Sequence, residues 1–387
     1  MKKTLIALSI LGLASSAAMA QTSDTAPAPA PVPGVAPNQT ATTTAVVNKL
    51  FGTGESYVTL YGVADIALGK AASTGDKKVG AQSNSIVTNQ NSQIGLRGRE
   101  DLGGGLSVGF NFEAPVDLAT GANDSSPASF WSRGANVSLH SAQYGALYLG
   151  REWSPSFVGQ YLYELTHYAL YSVVMHTYGF GANVDPWNNA QIKYVAPVFA
   201  GLSGSIAYTP KADGGLLDGG AANSTDKWDA TVVYASKSLL AAITVNKTGH
   251  PSAGALAADP YYGKVNWTVG GQYRFGNSFA VAASYNRANA ATNFVNSINP
   301  QTPGTVTGRR YGFELGGSAF FGPFTVTLDL TRDTKSDLYV QSNGRTKKYT
   351  NGVLEGKYTL SKRTFLYAAY LRLDGENNYG VGISHSF

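Results

Sequence analysis

The chain has 387 residues, with 45 glycines, 23 tyrosines and no cysteine, and only 14% of its residues are charged. Setting aside Lys2 and Lys3 of the leader leaves 27 basic residues against 24 acidic ones, too even a balance for the basic face of a nucleic-acid binder. The lack of cysteine excludes disulfides and thiolate metal sites, and the glycine- and tyrosine-rich composition favours strands over helices.

The first 20 residues, MKKTLIALSILGLASSAAMA, join two lysines to a short apolar run and a small-residue site at Ala18-Met19-Ala20. This is the pattern of a secretory signal peptide, 1–20, cut before Gln21. Residues 21–56 begin as a Pro/Ala/Thr-rich stretch, QTSDTAPAPAPVPGVAPNQT. Proline fixes φ and lacks a ladder donor, so an extended periplasmic tether and linker is expected there. Beyond the leader no stretch approaches 18 consecutive apolar residues, so no transmembrane helix is expected.

From Tyr57 to Phe387 the side-chain pattern repeats every two residues, as in strands with unlike faces. Val58, Leu60, Ala64, Ile66 and Leu68 share a face, as do Trp228, Ala230, Val232 and Tyr234. Phe324, Val326, Leu328 and Leu330 form another such row, and the last strand aligns Tyr379, Val381, Ile383, His385 and Phe387. In TFLYAAYLRL the bulky set is Phe365, Tyr367, Leu371 and Leu373, which places Arg372 opposite. Asp229, Gln272, Arg274, Arg310, Glu314 and Asp329 fall on the polar face of their strands.

The connections alternate in length. Short turns are expected near 101–105, 140–145, 199–202, 235–238, 275–277, 321–323 and 360–363. Longer polar segments lie near 71–90, 118–129, 153–187, 211–226, 249–263, 290–307 and 334–348, with a last brief loop at 374–378. Fifteen connections join 16 antiparallel strands, with short turns at one end and long loops at the other. That predicts an all-β fold, a transmembrane 16-stranded antiparallel β-barrel over 57–387, greasy outside and wet inside. A soluble sandwich or propeller also alternates, but it leaves unexplained the aromatic residues near strand ends and the charges on the inner face.

Several stretches carry a family resemblance: VTLYGVADIALG, SQIGLRGREDLGGGLSVGFNFE, GALYLGREW, QIKYVAPVFAGL, YTLSKRTFLYAAY and the closing YGVGISHSF. With them the chain resembles the Gram-negative general porins, the trimeric 16-stranded outer-membrane type of Neisseria and Burkholderia relatives. The resemblance implies a homotrimer set in outer-membrane lipid and lipopolysaccharide. It also implies that the barrel-assembly machinery reads the strand ending at Phe387, and that small hydrophilic solutes and ions pass by diffusion. No cofactor or catalytic residue is expected. Substrate-specific uptake, or a mainly structural or adhesive barrel, are the alternative functions.

The resemblance implies that the third long loop, 153–187, folds into the barrel; its apolar, aromatic composition agrees. Its carboxylates are Glu164 and Asp185, and Tyr161, Tyr163, Tyr168, Tyr171 and Tyr178 are candidates to line a constriction or to pack the loop on the wall. Opposite, the family presents an arginine cluster. Arg97 and Arg99 share a face with Gln93, where the family often has arginine. Arg133 matches a second family arginine although alternation with Ala135, Val137 and Leu139 puts it on the apolar face, and Trp187 stands where a third is expected. Glu113 and Lys193 complete the candidate lumen residues. The histidines show no metal spacing, DLGGG opens no helix and so suits a turn rather than a phosphate loop, and no G-x-S-x-G elbow is present.

Overall fold

A computed structural model describes residues 56–123, 130–179, 186–210, 226–249, 263–292, 307–338 and 346–387. The expected signal segment, all but the last residue of the extension, and Asp185 lie outside the described residues.

Sixteen long strands form one closed antiparallel sheet: β1 (Tyr57–Ala71), β3 (Gln93–Gly103), β4 (Leu106–Pro115), β5 (Gly134–Ser141), β6 (Gly145–Trp153), β7 (Trp187–Val195), β8 (Leu202–Thr209), β9 (Lys227–Ala235), β10 (Leu239–Thr248), β11 (Val265–Phe275), β12 (Phe279–Thr292), β13 (Thr307–Phe321), β14 (Phe324–Ser336), β15 (Thr350–Thr359), β16 (Thr364–Leu373) and β17 (Glu376–Ser386). A three-residue strand, β2 (Gly80–Gln82), lies in the first long loop and pairs with the upper part of β1. Closure comes from β1 pairing with β17, Val63 opposite Ser386 through Ala71 opposite Asn378. Beyond that ladder, the Gly62 N–H donates to the Phe387 carbonyl at 3.2 Å and the Phe387 N–H donates back at 3.0 Å. A closed ladder leaves no edge donors stranded in hydrocarbon.

The seven expected short turns all lie between paired strands. At 103–105 the turn is made by three successive glycines with φ of +78°, +62° and +80°, a left-handed path that side-chain-bearing residues resist. No described helix is long and apolar enough to cross a membrane.

Alternation sorts the two faces. Val58, Leu60, Trp228, Val232, Leu328, Val381 and Phe387 are exposed on the outside. Asp229, Thr231, Thr268, Asn286, Glu314, Asp329 and Glu355 are buried on the inside. Strand β16 departs from the sequence expectation. Tyr367, Leu371 and Leu373 are 2%, 1% and 0% exposed and point inward with Phe365, whereas Leu366, Tyr370 and Arg372 point outward. Both faces of this strand are apolar, because its inner face packs against residues 171–175: Tyr367 lies 5.9 Å from Tyr171 and within the cluster that holds Val173, Val174 and Met175. Periodicity cannot choose between two greasy faces.

Candidate functional site

The 153–187 segment leaves β6 through a short helix, α1 (Pro155–Tyr163). Ser154 caps it by accepting the Phe157 N–H, and Pro155 occupies the first turn, where its missing donor is no loss. The helix lies against polar wall side chains. The Ser156 N–H and Oγ both donate to Asp229 Oδ1, at 2.8 and 2.5 Å, and Gln160 Nε2 donates to Thr268 Oγ1 at 3.3 Å. Further on, Thr177 Oγ1 bonds Thr331 Oγ1 at 3.1 Å and accepts from Asn351 Nδ2. The wall receives the segment at glycines: a Cβ on Gly270 would sit 2.4 Å from the Tyr163 ring, and one on Gly312 would collide with the Tyr178 hydroxyl.

Within the segment, Glu164 is turned back into its own loop. It accepts from Thr166 Oγ1 at 2.7 Å, from the Tyr168 N–H at 2.8 Å and from Ser172 Oγ at 2.9 Å. Burial pushes its carboxyl above the usual carboxylate range, against those three donors. Tyr163, Tyr168, Tyr171 and Tyr178 are buried; Tyr161 and His167 are partly exposed, with ring centres 5.9 Å apart. Burial raises the Tyr161 hydroxyl to about 12 and lowers His167 to about 4, the latter helped by Lys357 and Arg274.

The polar residues of β1 and β3–β7 form a second group. Arg133 precedes β5, so it is released from that strand's alternation; its N–H donates to the Glu113 carbonyl at 3.1 Å. Its guanidinium Nε donates to Glu113 Oε1 at 2.8 Å, with both side chains almost fully buried. Tyr61 Oη donates to Glu113 Oε2 at 2.9 Å. Arg97 stacks over the Tyr61 ring at 4.7 Å and joins no ion pair among the described residues. Gln93 is buried on the same face, and Arg99 is partly exposed beyond Arg97. Lys193 Nζ lies 3.6 Å from Glu152 and donates to the Trp153 carbonyl at 3.0 Å.

A bulge explains how Glu152 enters this group. Between Gly150 and Glu152 the partners on β7 jump from Gln191 to Asn188, an extra residue accommodated at Ala190 with φ +45°. Glu152, Tyr61 and Asn136 are the participants that motif reading did not single out. Glu152 and Asn136 join because Asn136 Nδ2 donates to Glu152 Oε2 at 2.7 Å across two strands, a pairing visible only in register. Trp187, where an arginine was expected, lies 4.7 Å beneath the Arg133 guanidinium. Among the described residues no group of three or more His, Asp or Glu side chains is arranged to hold a metal.

The fold is that of an outer-membrane channel, a sheet closed on itself with an apolar exterior and a polar interior. A profile of the Gram-negative porin family matches residues 7–378, and the chain belongs to that family. It is 28% identical over 289 residues to Outer membrane porin protein 32 of Delftia acidovorans, covering 71% of this chain and 67% of the relative. It is 23% identical over 359 residues to Major outer membrane protein P.IB of Neisseria meningitidis, covering 85% of this chain and 94% of that one. Among solved structures, the anion-selective porin from Comamonas acidovorans superposes with a TM-score of 0.60 at 24% identity, covering 86% of this chain and all of the other. Salmonella typhi OmpF gives 0.62 at 18% identity, over 85% of this chain and 97% of the other. The protein is an outer-membrane porin, a passive channel.

Proposed function

We propose that the channel serves diffusion of ions and small hydrophilic solutes, that the 153–187 segment folds into the lumen as its constriction, and that the constriction favours anions. The observation that carries this is the bonding of Ser156, Gln160 and Thr177 to Asp229, Thr268 and Thr331, wall side chains that point away from the apolar face. Loop carboxylate Glu164 is spent on its own turn, while Arg97, Arg99, Arg274 and Lys357 stay at least partly open to water. A lumen with buried acids and wetted bases carries a positive field. The anion-selective porin of Comamonas acidovorans shares the fold. Gln93 and Trp187, standing where the family has arginine, make that preference weaker than a full cluster would.

The apolar exterior, the leader at 1–20 and the terminal Phe387 support export, a homotrimer in a bilayer with lipopolysaccharide, and assembly through the last strand. Residues 21–56 act as a periplasmic tether, and the protein performs no bond chemistry. Reconstitution in planar bilayers tests this reading: conductance steps grouped in threes are expected, with a reversal potential displaced toward chloride in a KCl gradient. Folded protein that gives no steps refutes the channel, and a displacement toward potassium refutes the anion preference. Deletion of 21–56 should leave the steps unchanged.

A further inference from the structure

Trp153, Phe157 and Tyr161 recur every four residues, so α1 and the residue leading into it stack them along one side. Trp153 and Phe157 are stacked with centroids 4.5 Å apart and 24° between planes, and Phe157 and Tyr161 continue at 6.4 Å and 28°. Trp187 extends the row beyond Trp153 at 5.0 Å, and His167 extends it beyond Tyr161 at 5.9 Å. Phe157 is a backing ring, 6% exposed, while Trp187, Trp153, Tyr161 and His167 keep part of their surface in water. Packing alone does not require this. The helix is already held to the wall by Ser156 and Gln160 and by the apolar contacts of Val158, Leu162 and Tyr163 with Val233 and Ala242.

Both ends of the row are cationic. Arg151, partly exposed, lies 5.9 Å from the Trp187 ring, with Arg133 closer at 4.7 Å but bonded to Glu113, and Lys357 and Arg274 set a positive potential at His167, although Lys357 also bonds Glu355 at 3.0 Å. A row of rings, near-parallel in the middle and tilted by 42° and 45° at its two ends, between positive ends matches a solute with a planar π face and one negative charge. An aliphatic anion can use the charges but not the rings, and a neutral ring can use the rings but not the charges.

We propose that the row Trp187–Trp153–Phe157–Tyr161–His167 is a binding track for small aromatic carboxylates of the benzoate type, which slide along it during passage. This rests on the reading of 153–187 as the lumen constriction. The test is the titration of single-channel KCl current with benzoate and with cyclohexanecarboxylate, which has the same charge and nearly the same size but no π face. Stacking on partly exposed rings predicts a half-blocking concentration about threefold to tenfold lower for benzoate. Tyr161→Leu should bring the two anions within about twofold, each measured relative to that variant's own KCl current, and Trp187→Leu should do so independently. Equal block of wild type by both anions overturns the track, as does an unchanged benzoate preference in both variants. Absence of KCl steps from wild-type protein instead removes the channel reading beneath it.

Discussion

Replacing Arg133 by methionine keeps an apolar stem of similar length against Trp187 but takes the only cation bonded to Glu113 among the described residues. The guanidinium and carboxylate lie 2.8 Å apart, with side chains 8% and 2% exposed. At that separation an effective dielectric of about 20 gives a gross attraction of roughly 6 kcal/mol, most of it offset by taking two charges out of water. Removing one partner leaves the offset without the attraction. Among the described residues Glu113 then retains a single side-chain bond, from Tyr61 Oη. The expected loss is about 3–5 kcal/mol for Arg133→Met, whereas Arg133→Met combined with Glu113→Gln should recover at least about 2 kcal/mol of it. Reversible urea unfolding in detergent or lipid, followed by the heat-dependent gel mobility of barrels, measures both. A single variant as stable as wild type, or a double variant no better than the single, would refute the argument.

Three further outcomes follow from the same geometry. Arg97→Gln removes a wetted charge: about 0.6 kcal/mol acts on an ion passing at about 7 Å in water, so the chloride-to-potassium permeability ratio should fall about threefold after salt screening, read from the reversal potential. His176, whose Nε2 bonds the Leu170 carbonyl at 2.5 Å, is held down to about 4 by burial, against the pull of Asp374. Because the unfolded imidazole titrates near 6.5, the stability it contributes is present above that pH and is lost as pH falls toward about 4. Amide protection factors over 164–178, the exchange rates corrected for the intrinsic rate at each pH, should therefore fall in that window in wild type and much less in His176→Gln. Gly270→Ala places a methyl inside the Tyr163 ring, costing about 1–3 kcal/mol and shifting the segment, so open-channel conductance should change while the barrel stays folded.

The barrel was legible because its physics is local. A strand between lipid and water must alternate, and fifteen alternately short and long connections count the strands without any tertiary knowledge. Val58, Trp228, Leu328 and Phe387 accordingly lie where their period places them. The site was legible in its residue types but not in its partnerships. Arg133 and Glu113 were each assigned to the lumen, yet their pairing depends on Arg133 standing just outside β5. Glu164 carried the charge expected of a constriction, but the fate of that charge was set by Thr166, Tyr168 and Ser172 closing around it.

By itself, then, the sequence determined the closed sheet, its strand number and the outward face of nearly every strand, because water and hydrocarbon act on each residue through its immediate neighbours. Only the tertiary structure decided the facing of β16, the phase change at Ala190 and the aromatic row on α1. Each depends on contact between segments far apart in the chain. Where Tyr171, Val173 and Met175 pack on Tyr367 and Leu371, the greasy-outside rule no longer separates the two faces.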